Sequence, residues 1–169
     1  MNKALSIGDI YKIFDNKIKC ITYEDTLQYN RIRDLLYPYD ACIILYILEG
    51  TDNGHFICVY KHNDTIVYFD SYGRTDKQII NSIEDDVKLL NDETYPHITK
   101  LLKQANDKIT INKRVLQDEK SAVCGRWCCF VIMNAYKHKN LNDLLDYYKF
   151  DDDTKANDKK ILYLTHRYL

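Results

Sequence analysis

Glycine and proline are scarce, with 5 and 2 in 169 residues, and no linker-like stretch, internal repeat or low-complexity tract interrupts the chain. A flexible tether between two units is thereby excluded, and the length suits a single domain over residues 1–169. An excess of charge is also missing: 24 Lys plus Arg face 25 Asp plus Glu, a formal net charge of −1. The electrostatic footprint of a dedicated nucleic-acid binder is absent, so DNA is not an expected partner. Long apolar runs are lacking too. The longest, residues 41–48, is well short of the roughly 20 needed to span a bilayer, and the N-terminus shows no signal-peptide pattern. A soluble, non-secreted protein without membrane partners is the expectation.

What is present is an ordinary core-forming fraction of hydrophobic residues, 46%, too high for intrinsic disorder. The 15 Tyr, with many Lys, Asn, Ile and Asp, read as a coding bias toward A and T rather than as a functional signal. Six cysteines, at 20, 42, 58, 124, 128 and 129, read as reduced thiols rather than a disulfide framework.

Ser6 followed by Ile7, Ile10, Tyr11 and Phe14 predicts a capped amphipathic helix, and Leu27, Ile32, Leu35 and Leu36 predict a second that Pro38 stops. The period then changes. Residues 41–48, bounded by Gly50 and Asn53, predict a strand buried on both faces; residues 56–60 and 65–69 predict a hairpin around the polar turn 61–64. Residues 76–90 and a stretch from Pro96 predict helices, 108–116 one or two short strands, 122–136 a buried helix, and 141–150 and 158–168 two more. The fold class is α+β.

A hairpin turning near Asn63 sets His55 opposite Ser71 and beside Asp70, which pairs an imidazole with a carboxylate as a general base requires. Cys124 is the candidate nucleophile, because residues 121–125 lead directly into the apolar helix and its positive end favours thiolate. Gly125 lets a substrate backbone approach, and Gln117 offers a side-chain amide to an oxyanion beside first-turn N–H groups.

Four blocks in this order, Asn53-Gly54-His55-Phe56, Tyr68-Phe69-Asp70-Ser71-Tyr72-Gly73, Val115-Leu116-Gln117 and Ser121 through Phe130, make the chain resemble the adenovirus maturation protease. It also resembles relatives in virophages, large DNA viruses and Polinton-type elements, and more distantly the proteases of ubiquitin-like modifiers. The resemblance implies a papain-like α+β fold, with a mixed, mostly antiparallel sheet flanked by helices and a central helix carrying the nucleophile. It further implies that Cys124 attacks, His55 is general base then acid, Asp70 orients His55, and Gln117 with the Cys124 N–H forms the oxyanion hole. Gly54, Phe56, Gly125 and Trp127 are the expected substrate-binding residues. Phe56 stands where such enzymes usually have Trp, and Asp70 follows the modifier-protease branch where adenovirus enzymes have Glu.

Taken singly, each residue has a bland reading: His55 a structural histidine, Asp70 a turn residue, Cys124 a small core hydrophobe, Gln117 a surface amide. Their joint order argues otherwise. Cys128 and Cys129 are expected in the core, and the 124, 128, 129 spacing lacks the knuckle of a zinc site, so neither metal nor cofactor is expected. The function implied is a thiol endopeptidase that cleaves viral capsid or core precursors after small residues such as Gly, in the virion and infected-cell cytoplasm. The partners are those precursors, with a peptide activator left open and a monomer expected. The alternatives are an isopeptidase acting on ubiquitin-like modifiers and a non-enzymatic capsid-associated protein.

Overall fold

Alternation with period two organises the molecule. The computed structural model describes residues 4–49 and 53–169, and five strands among them lie side by side in chain order. They are β1 (Lys19–Thr22), β2 (Ala41–Glu49), β3 (Asn53–His62), β4 (Thr65–Phe69) and β5 (Lys108–Ile111). The β2–β3 and β3–β4 pairs are antiparallel, whereas β1 with β2 and β4 with β5 are parallel and therefore need helical crossovers. Those are α2 (Tyr23–Thr26) and α3 (Ile32–Leu36) in the first case, and α4 (Asp76–Asn81), α5 (Asp85–Leu90) and α6 (His97–Gln104) in the second.

Successive side chains of a strand point to opposite faces, so both faces here carry apolar sets. Ile43, Phe56, Cys58, Val67 and Phe69 face one core, closed by α1 (Ile7–Ile13), α7 (Cys124–Asn134), α8 (Leu141–Tyr147) and α9 (Thr154–Thr165). Cys42, Ile44, Ile57, Val59, Ile66 and Tyr68 face the other, covered by α3, α4 and α6. This double burial is what the unbroken apolar run 41–48 predicts; Gly50, one of its two bounding residues, lies outside the described residues.

The sheet departs from the sequence reading in its register. Cys58 pairs with Phe69 and His62 with Thr65, so the turn is the two residues Asn63-Asp64, with Asn63 left-handed at φ 55°, and every pairing slips by one. Asp70 lies one residue and His55 three residues beyond the last β3–β4 pair, His55 pairing instead with Tyr46 of β2. Strand β1 was not predicted at all: four residues are too few to show a period. Of the helix expected over residues 27–36 only Ile32–Leu36 forms, as α3; the separate α2 precedes it, started at Thr22 by a capping box to Asp25. Residues 76–90 likewise split into α4 and α5, where the Ser82 hydroxyl caps Ile79 O at 2.6 Å and Ile83 turns into the core. Of residues 108–116 only β5 is strand, and α9 begins at Thr154, four residues early, capped by Asp153.

Beyond Ile47 the β2–β3 register shifts, and the buried Glu93 carboxylate fixes that point by accepting the Ile47 N–H at 2.6 Å. The strand that returns carries Gly54, His55 and Phe56.

Candidate active site

The four predicted polar residues arrive from four separate stretches of the chain. His55 stands on β3, Asp70 follows β4, Gln117 lies on the segment between β5 and α7, and Cys124 is the first residue of α7. Local chemistry fixes each.

After β4 the chain turns sharply, with Gly73 N–H donating to Asp70 O at 2.9 Å. Gly73 has φ 67°, and a Cβ there would lie 2.6 Å from Lys113 O. Only glycine meets both conditions without strain. The segment leading to α7 is stitched to this turn: Asn112 Nδ2 donates to Asp70 O at 2.7 Å, and the Leu116 and Gln117 N–H groups donate to Ser71 O at 2.8 and 3.2 Å. Gln117 is therefore carried by the same turn as Asp70.

His55 Nε2 lies 2.5 Å from Asp70 Oδ1, so Nδ1 is the nitrogen left for the thiol of Cys124. Asp70 is wholly buried and accepts three further hydrogen bonds, from the Tyr72 N–H at 3.2 Å and from the N–H and Nε of Arg74 at 3.0 and 3.2 Å. Burial opposes its charge, yet these bonds and the neighbouring cations hold the carboxyl below its ordinary range. Burial opposes the imidazolium as well, and hydrogen bonds to Asp70 and Cys124 outweigh it, pushing the His55 pKa up to about 9.

Cys124 is 8% exposed, and its Sγ accepts the Phe56 N–H at 3.5 Å. Burial alone would raise its pKa; the bond to His55, the imidazolium charge and the Phe56 and Gly125 N–H groups lower it instead. By contrast, burial pushes Cys20, Cys42, Cys128 and Cys129 up. Cys124 is thus the thiol shifted toward its thiolate, beside an imidazole shifted toward its imidazolium, the direction that makes a cysteine nucleophilic. Val123, the residue before α7, makes no side-chain cap to its first turn.

A cavity of about 670 Å³ opens over these groups, lined by Leu5, Gly54, Phe56, Tyr72, Gln117 and Gly125 among others. A Cβ on Gly125 would stand 3.2 Å from the Phe56 ring and 3.3 Å from Leu5, so the residue after the sulfur packs closely against both. Gly54, Phe56 and Gly125, expected to bind substrate, line it. Trp127 does not: it is completely buried, packed against Phe69, Phe130 and Phe150, and belongs to the core under α7. Three residues on, Trp127 shares the face of α7 that carries Cys124 but lies nearly a turn further along, in the core.

Sequence reasoning missed Arg74, Tyr72 and Leu5. Arg74 braces Asp70, the Tyr72 ring lies against His55 with centroids 5.1 Å apart, and Leu5 walls the cavity from ahead of α1. The signal for Arg74 was available as a cation four residues after the carboxylate. Leu5 had none, since nothing local ties the N-terminal segment to residue 125.

No family model matches this sequence. A curated relative, "Uncharacterized protein V9" of Sputnik virophage, is 31% identical over 159 residues, covering 89% of this chain and 90% of that protein. Among solved structures, ChlaDub1 from Chlamydia trachomatis superimposes with a TM-score of 0.56 at 14% identity, covering 99% of this chain and 93% of that one. The fold is thus of the α+β, Ulp1-like type, with a mixed sheet flanked by helices.

Proposed function

This chain belongs to the family of Sputnik virophage protein V9, and from that premise we propose that it is a cysteine endopeptidase that cleaves viral capsid or core precursor proteins during particle maturation. One observation carries the reading. A buried carboxylate, an imidazole and a thiol stand in line, Asp70 to His55 to Cys124, with the sulfur at the open end beneath a cavity.

The reaction follows from that line. The Cys124 thiolate adds to the scissile carbonyl carbon, and the carbonyl π pair moves onto oxygen, which the first-turn N–H groups of α7 and the Gln117 side of the cavity receive. Collapse breaks the C–N bond, and the proton on His55 goes to the departing amine. Water, deprotonated by His55, then opens the thioester and regenerates the thiol. Asp70 holds the imidazole in one orientation throughout and stays ionised.

The resemblance to maturation proteases favours an extended substrate with small residues, Gly foremost, before the bond. The same chemistry serves an isopeptidase acting on modifier conjugates. The test is incubation of the co-encoded capsid precursor with wild-type protein and with Cys124→Ala, read by intact mass. A discrete cut absent from the variant supports the endopeptidase. An intact precursor under reducing conditions contradicts it, and release of a modifier from a conjugate would move the assignment to isopeptidase.

A further inference from the structure

Arg126 is a buried cation without an anion. It lies two positions after Cys124, is the one charged residue of α7, and is only 8% exposed. Its Nη1 donates to Thr165 Oγ1 at 3.2 Å, and Thr165 in turn donates to Ile161 O at 2.6 Å, which fixes the guanidinium against α9. Nε is sealed off with no acceptor, and no carboxylate pairs with the group among the described residues. Arg31, Arg33, Arg74 and Arg114 each meet an aspartate instead. An arginine keeps its charge and carries five N–H donors, so a buried one with a single neutral acceptor is poorly compensated. Its place in the first turn sharpens the mismatch, because the positive end of a helix favours an anion there.

Nη2 has no partner among the described residues either, but unlike Nε it is not sealed. Arg126 lines a second cavity, of about 510 Å³, whose other walls are Leu162, Tyr163, His166 and Leu169. No residue lines both this cavity and the one over Cys124. Tyr163 and Leu169 are large apolar side chains left exposed at its rim. His166, also exposed, has a ring with no hydrogen-bond partner among the described residues. A buried cation as floor, apolar walls and a free imidazole at the edge suit a ligand with a negative head and a small apolar body.

We propose that this cavity binds a small organic anion, its phosphate or carboxylate seated on Arg126 and its apolar body against Leu162, Tyr163 and Leu169. The occupant supplies the counter-charge that the fold does not. The site stands apart from the peptidase chemistry and does not depend on that reading.

Calorimetric titration of the full chain with phenyl phosphate and with phenylacetate tests it, the two heads distinguishing phosphate from carboxylate. Sodium chloride at matched ionic strength and benzyl alcohol serve as the charge-only and apolar-only controls. Saturable binding of at least one anion, in the millimolar range or tighter, is expected, with neither control reproducing it. Arg126→Met replaces the buried cation with an apolar chain; its fold is checked by circular dichroism, and binding should weaken about 10-fold or more. His166→Ala changes only an exposed rim residue and should weaken binding about 2- to 10-fold. Absence of saturable binding by both anions overturns the proposal. So does unchanged affinity in Arg126→Met or, if that variant does not fold, in His166→Ala.

Discussion

Asp70 accepts from Arg74 through two separate donors, the backbone N–H at 3.0 Å and Nε at 3.2 Å, on the carboxylate oxygen that His55 does not use. The carboxylate is thereby clamped in a fixed plane, and the imidazole inherits its orientation.

Replacing Asp70 with Asn keeps the size but reverses a hydrogen bond and releases the tautomer. Steady-state kinetics on Asp70→Asn should show kcat reduced by roughly 10²–10⁴-fold with the fold retained. A change below about 3-fold would mean that His55 is held by something else.

The pH profile follows from two directions of shift. Activity needs Cys124 deprotonated and His55 protonated; the first holds above a thiol pKa that is lowered, the second below about 9. Rates should therefore rise at a pH below that of an ordinary thiol, stay level, and fall as pH passes about 9. A rate still climbing there would exclude the ion pair as the reactive state.

Gly73→Ala meets both a left-handed backbone and a carbonyl 2.6 Å from the new Cβ. A loss of about 1–3 kcal/mol of stability is expected in denaturant titration, with activity reduced in the surviving folded protein because the Asp70 turn shifts.

Glu93 is buried, and desolvation pushes its pKa up from 4.5 to about 7. An acid whose folded pKa lies above its unfolded one holds its proton more tightly when folded, so its ionisation destabilises the fold as pH rises through 7. Glu93→Gln, which keeps the acceptor for Ile47, should raise Tm at pH 8 and leave it nearly unchanged near pH 4. Equal effects at both pH values would contradict this.

The grouping of His55, Asp70 and Cys124 at one candidate site was legible because its signals are local: His55 and Asp70 flank a hairpin, and Cys124 opens an apolar helix. The two-faced burial of β2 was legible for the same reason. Residue pairs brought together across the chain were not. Strand β1 pairs in parallel with β2 across two helices, Leu5 reaches Gly125, and Tyr72 reaches Gln117, each through contacts that no spacing encodes. Trp127 shares the face of α7 with Cys124, but the spacing does not show that the core closes within one turn of the helix end. The one-residue slip at Asn63-Asp64 arose because the turn centre can be set only once the left-handed residue is known.

At the centre of the account is a thiolate at Cys124 stabilised by His55. Alkylation by iodoacetamide between pH 5 and pH 10, mapped by peptide mass, measures it directly. Cys124 should react first among the six cysteines, with a rate that levels off well below the ordinary thiol pKa and loses that low-pH reactivity in His55→Ala. Labelling spread over several cysteines, or Cys124 reacting only as pH approaches 9 with no effect of His55→Ala, would contradict it.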